Sequence, residues 1–217
     1  DLSVGSVIAM VGCFAAGFIS YLGLPSGAAI LLAILLGACL GLFNGAVAAF
    51  TTIPPFIITL ATMNIGRGIA RVYSATKTIT VSDSFFKSIA ATYVGPIPIQ
   101  VIYIVIVVAL TAVILNRTQL GRHILATGGN MQAAAYSGVN TKVVTLFVFV
   151  YSSILASLAG IISSSRLFSG THTAGESAEM DAIAAVVLGG TSMAGGSGSI
   201  SGTVFGVFII AILNNIM

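Results

Sequence analysis

Glu179 to Gly206 reads EMDAIAAVVLGGTSMAGGSGSISGTVFG. It joins an acidic start, a short apolar run over 181–188, a break rich in Gly and Ser, and the opening of a second apolar helix. Eight apolar residues rise only ~12 Å as a helix, far short of the ~30 Å hydrocarbon core. The segment is therefore expected to dip into a membrane or to cross it obliquely. Lipid offers the glycine amides of 189–198 no hydrogen-bond partner, so irregular backbone at that depth must be buried in protein or face a wet cavity. The break is a candidate pathway wall.

The rest of the chain sets that stretch in a membrane. With 57% hydrophobic and 6% charged residues over 217 positions and a mean hydropathy of +1.12, it departs far from ordinary soluble domains, where about 25% of residues are charged. The formal net charge is +3, but the basic residues are scattered and form no stripe with interleaved aromatics, which excludes a nucleic-acid reading. Cys13 and Cys39 sit in apolar runs, where thiols behave as small hydrophobes, and imply no disulfide. The chain opens at Asp1 and stops at Met217 in apolar context, as expected of a piece of a longer protein lacking spans at both ends.

Spans are read from Ser3 to Leu22, over 27–50 after the GLPSG turn, from Pro54–Pro55 to about Tyr73, over 99–115, over 143–162 and across the broken C-terminal segment. The class is an all-α membrane protein: a multispan helical bundle with a short broken or re-entrant helix near its C-terminal end, forming one domain over 1–217. Gly37, Gly41 and Gly45 repeat at spacing four, as do Gly198, Gly202 and Gly206. Such stripes strip a helix face and admit a neighbouring backbone, so their expected role is helix packing. Arg67 and Arg71 lie one turn apart near the end of the third run. Snorkelling to an interface is their ordinary reading, and lining a site the functional one. Residues 74–98 read as an exposed loop, with Phe85, Phe86 and Ile89 as one face of a short interfacial helix.

Between two spans, 116–142 carries Arg117, Arg122 and Lys142 and no acid. Asn130 suits a helix start and Gly138 the left-handed position after a helix end, enclosing about seven residues. A helix that short must pack on something to persist.

Three strings, DLSVGS at 1–6, ATGGNMQAAAYSGVNTKV at 126–143 and DAIAAVVLGGTSMAGGSGSISGT at 181–203, closely resemble the membrane permease subunits of bacterial ABC importers for monosaccharides, the ribose, galactoside, arabinose and xylose group. The resemblance implies a multi-pass protein of the bacterial cytoplasmic membrane. It implies pairing with a second, identical or different, permease chain, and partnership with an ATP-binding subunit and a periplasmic sugar-binding protein. It also makes 116–142 a cytoplasmic coupling segment, its short helix docking on the ATPase through Gly128, Gly129, Asn130, Gln132, Ala133, Ala134, Tyr136, Ser137 and Gly138. No cofactor is expected on this chain, ATP and Mg belonging to the partner ATPase. With 116–142 inside, Lys and Arg number three inside and five outside, so the resemblance decides the orientation and the positive-inside rule does not support it.

A neutral polyol needs hydrogen-bond partners in an otherwise apolar wall. Asn44, Thr59, Thr62, Asn64 and Ser192 are polar residues stranded in spans and are the candidate pathway residues; each could equally bond a neighbouring helix. Glu176, Glu179 and Asp181 precede the short helix, where carboxylates suit the unpaired amides. A proton relay there would make the chain an ion-coupled secondary transporter. A permease for branched-chain amino acids is the other rival, although an ionised substrate would want charged partners the spans largely lack. His172 and Glu176, four apart, are poor evidence for a metal. No GxxxxGK[ST], Ser/His/Asp or HExxH arrangement occurs, so a transport subunit is expected, with ATP hydrolysed elsewhere.

Overall fold

The computed structural model describes residues 1–216 and is predominantly helical. It divides into two compact units, Asp1–Tyr103 with Leu146–Glu176, and Ile104–Thr145 with Ser177–Met217.

The first unit is built on α1 (Val4–Ser20), whose Gly, Ala, Ser and Cys content keeps it slim and buried on nearly every side. Against it pack α2 (Ser26–Phe50) and α3 (Pro55–Tyr73). α3 begins where Pro54 and Pro55 place a ring at the first helical position, which has no intrahelical N–H bond to lose. Tyr73, at its end, stacks on Phe14 of α1 with ring centroids 4.0 Å apart. α8 (Thr141–Leu167) meets α2 along the first glycine stripe. A Cβ built on Gly41 would lie 2.6 Å from Ser153 Cβ and 2.7 Å from the Phe149 carbonyl oxygen, and one on Gly45 would lie 3.0 Å from Leu146 Cα. Bare backbone is thus what lets these helices touch, and contact rather than hydrophobic drive holds helices together in lipid.

Residues 74–98 are more ordered than a plain loop. β1 (Ile79–Thr80) pairs antiparallel with β4 (Ser169–Gly170), and β2 (Tyr93–Val94) pairs with β3 (Ile97–Pro98) in a hairpin turning at Gly95, φ +62°. Between them lies α4 (Ser84–Ala91), capped by Asp83. One face for Phe85, Phe86 and Ile89 is incorrect: Phe86 is fully buried in the core while Phe85 is 59% exposed. Adjacent helical residues point about 100° apart, so the two rings serve opposite surroundings.

The second unit holds most of α5 (Ile99–Arg117), α6 (Gln119–Gly129), α7 (Met131–Tyr136), α9 (Ala178–Leu188) and α10 (Ile200–Ile216). α9 and α10 pack on each other as a helical hairpin. α2, α5 and α8 are long and apolar enough to cross a membrane, and α1 and α10 are shorter apolar helices. α9, at 11 residues, rises only about 16 Å, as its short apolar run led one to expect. α8 runs farther at both ends than the 143–162 read from hydropathy, because Thr141 and the Ser163–Ser165 run continue the helix.

Candidate functional site

The segment 116–142 folds into two helices rather than one. α6 was not legible as a helix in the sequence reading, although Thr118 starts it by accepting the Gly121 N–H at 3.2 Å, and Leu120, Ile124 and Leu125 recur at helical spacing. α7 has the expected bounds. Asn130 Oδ1 accepts the Ala133 N–H at 2.9 Å. At the other end Gly138 takes φ +86°, its N–H bonding Ala135 O at 3.0 Å while the Val139 N–H bonds Ala134 O at 3.1 Å. That pair of bonds is a Schellman motif, which a residue with a side chain enters only under strain.

α7 presents most of its surface to solvent. Gln132, Ala133, Ala135, Ser137 and Gly138 are exposed, Met131 is 47% and Tyr136 90% exposed, and only Ala134 is buried. The flanks supply Arg117, Arg122 and Lys142, all exposed. The knob is small-faced, electropositive in its surroundings, and carries a large amphipathic ring.

The break between α9 and α10 is a compact turn. Ser192 N–H bonds Ser197 O at 3.2 Å, and Gly195 N–H bonds Ser192 O at 3.1 Å. Gly190, Gly195 and Gly196 all have positive φ. Gly202 and Gly206 of α10 face α9: a Cβ on Gly202 would lie 3.4 Å from Gly189 Cα, and one on Gly206 would lie 3.2 Å from the Gly189 nitrogen. Gly198 stands outside α10, two residues before its start, and meets Thr191 instead. Open grooves border the break among the described residues. One, of about 290 Å³, is lined by Leu115, Ile124, Thr191, Ser192, Ser197 and Thr203. Another, of about 570 Å³, is lined by Val108, Ala112, Asn116, Ser199, Ser201 and Phe205.

Of the candidate pathway residues, Asn44, Thr59, Thr62 and Asn64 belong to the first unit and Ser192 to the second. Asn44 is fully buried and donates to Ser3 Oγ at 3.0 Å. Thr59 and Thr62 are buried and return their hydroxyls to Pro55 O and Ile58 O of their own helix. Asn64 is exposed and does the same toward Leu60 O. Ser192 borders a groove at the break, where its hydroxyl accepts the Ala194 N–H.

Charged groups are placed by backbone needs. Arg67 does not snorkel; its guanidinium donates to the carbonyls of His172, Ala174 and Gly175. Sequence reasoning missed this clamp because its partners lie over a hundred positions away. Glu179 and Asp181 stand in the first turn of α9, but no side-chain hydrogen bond caps that helix among the described residues. Asp181 Oδ2 accepts from Asn214 Nδ2 at 3.1 Å, whereas Glu179 is buried and its Oε2 has no hydrogen-bond partner among the described residues. Among the described residues no three His, Cys, Asp or Glu side chains gather as metal ligands. Outside the spans, the Ser26 hydroxyl and the Phe86 N–H hold the Asp83 carboxyl below the usual carboxylate range.

Comparison with known proteins places relatives beside this geometry. The family described as branched-chain amino acid transport system / permease component matches residues 1–217. The ribose import permease protein RbsC of Haemophilus influenzae is 45% identical over 219 residues, covering 99% of this chain and 68% of the relative. RbsC of Bacillus subtilis is 43% identical over 221 residues, covering 99% and 67%, and the D-allose transport system permease protein AlsC of Escherichia coli is 41% identical over 216 residues, covering 99% and 66%. The chain thus spans about two-thirds of these relatives' length. No solved structure matches it.

Proposed function

Because the chain belongs to the family of branched-chain amino acid transport system permease components, a family of membrane transport subunits rather than enzymes, we propose that it is the permease subunit of an ATP-driven importer for a monosaccharide. Relatives named for ribose and allose, at 41–45% identity over nearly the whole chain, favour a sugar over an amino acid. The composition agrees, since the charged side chain of Arg67 is spent on backbone carbonyls and leaves little to meet an ionised substrate.

The observation that carries the mechanism is α7. It is too short to persist by itself, yet it is capped at both ends and displays Met131, Gln132, Ala133 and Tyr136 outward. A knob of that kind fits a groove on another protein: the alanines admit close approach, Tyr136 supplies an amphipathic anchor, and the flanking cations favour an acidic rim. In this reading 116–142 faces the cytosol of a bacterium, within a single permease domain of the inner membrane. An ATPase subunit binding ATP and Mg grips α7, and nucleotide-driven closure displaces it. A second permease chain completes the pathway, and a periplasmic binding protein delivers the sugar. Flux then depends on permissive walls at the Gly/Ser break more than on a tight site.

Proteoliposomes holding the permease, its ATPase subunit and its binding protein test this directly with labelled pentoses and hexoses. Uptake is expected to require ATP and to survive collapse of the proton gradient. Uptake that persists without nucleotide and vanishes with the gradient would move the mechanism to Glu176, Glu179 and Asp181.

A further inference from the structure

The corner between α6 and α7 is one residue wide. The Asn130 N–H closes α6 by donating to Ala126 O at 3.0 Å, and its side chain opens α7. One residue is thus hydrogen-bonded into both helices. On the last turn of α6, Gly128 and Gly129 lie on Gly195 and Gly196 of the α9–α10 break with no side chain between them. A Cβ built on Gly196 would come within 2.8 Å of Gly129 Cα, one on Gly128 within 3.1 Å of the Gly196 nitrogen, and one on Gly195 would fall on the Gly128 carbonyl.

Gly195 and Gly196 also have φ of +88° and +78°. Two separate requirements, handedness and clearance, therefore exclude a side chain there. Gly190 has the first without the second: its φ is +83°, yet among the described residues nothing lies within 4 Å of a Cβ built on it. Clearance at the seam is a feature of contact with α6 and not of turn geometry alone.

Resting on the reading of α7 as the ATPase-docking knob, we infer that Gly195 and Gly196 are positioning residues for transport, forming a bare backbone seam through which displacement of α7 passes to the break. Side chains between two elements can absorb a displacement by changing rotamer, whereas backbone packed on backbone cannot, and close-packed contacts pass motion on rather than deforming. The moved turn carries Thr191, Ser192 and Ser197, which line the adjoining groove. A shift of the seam therefore changes the hydroxyl lining that a passing polyol would meet.

The test compares Gly196→Ala with Gly190→Ala in the complete importer. Both introduce a methyl at a left-handed glycine, but only the first wedges the seam. G196A is expected to co-purify with the ATPase subunit and to keep basal hydrolysis within about twofold, while uptake and binding-protein-stimulated hydrolysis fall by about tenfold. G190A is expected to retain uptake within about twofold. Equal impairment of both would reduce the effect to turn strain and overturn the inference, as would wild-type uptake by G196A. Should G196A fail to insert, Gly195→Ala, which wedges the same seam from outside 128–138, is read by the same assays, and unchanged stimulation in it overturns the inference too. Tyr136→Asp separates this from the docking reading: if it leaves ATPase association intact, docking fails and the seam with it. If it abolishes association while the seam variants couple normally, the seam alone fails.

Discussion

The guanidinium of Arg67 donates to the carbonyl oxygen of Ala174 at 2.7 Å, and the same side chain reaches His172 O at 2.9 Å and Gly175 O at 3.3 Å. A flat fork with five N–H donors can serve several carbonyls of one turn, which a single ammonium cannot. Arg67→Met should leave these half-buried carbonyls short of donors, at a cost of about 2 kcal/mol. The effect is expected as a lower thermal midpoint in detergent and faster proteolysis across 171–177. Arg67→Lys should recover part of it. Wild-type behaviour of the Met variant would remove the clamp from the account.

Acid should loosen α4 through Asp83. Its carboxylate accepts from Ser26 Oγ at 2.6 Å and from the Phe86 N–H at 2.7 Å, and these bonds hold its pKa below the unfolded value. The stabilisation is therefore fully present above the ordinary Asp value of about 4 and is lost as pH falls through the lower, folded value. Amide exchange over 84–91, measured relative to the intrinsic rate at each pH, should rise toward that rate in acid. Asp83→Asn should flatten that rise; an unchanged profile would count against the cap.

Helix contact along the first glycine stripe predicts a contrast. Gly41→Leu must displace Ser153 and the Phe149 carbonyl, since even a Cβ meets them at 2.6 Å and 2.7 Å, and overpacking of this kind costs about 1–3 kcal/mol. A Cβ built on Gly27 in the same helix meets nothing within 4 Å among the described residues, so Gly27→Leu starts from open space. Thermal unfolding of the two variants should separate them clearly, and equal stability would contradict the packing assigned to α2 and α8.

The caps of α7 can be removed singly. Asn130→Ala should cost about 1 kcal/mol of local stability, seen as roughly fivefold faster amide exchange at Ala133. Gly138→Val forces a β-branched residue to φ +86°, a position that costs ordinary residues about 1–2 kcal/mol. It should insert normally and transport poorly, with Gly138→Asn in between. Full transport by the Val variant would argue that the shape of α7 is immaterial.

Much of this was legible in the sequence because it depends on neighbours along the chain. The length of the apolar runs, the Pro54–Pro55 start and the left-handed Gly138 are local properties, and so is the break at 189–199. The candidate pathway residues show the opposite case. A polar residue in an apolar run announces that its hydrogen bond must be made, but not with whom; Thr59 and Thr62 return theirs to their own helix, and Asn44 gives its own to Ser3. Arg67 illustrates the same limit at longer range. Spacing-four glycines announce close packing, whereas Gly128 and Gly195, far apart in sequence and outside any stripe, meet only in three dimensions.

The central claim is that an ATPase subunit holds this chain by α7 and moves it. Tyr136→Cys, at a position 90% exposed, placed in the assembled importer and treated with a short bifunctional thiol reagent, tests it most directly. The account predicts a crosslink to the ATPase subunit whose yield changes between nucleotide-free and ATP-bound states, and which blocks sugar uptake once formed. A thiol at position 136 that never joins the ATPase subunit, in an importer still taking up sugar on ATP, would contradict it.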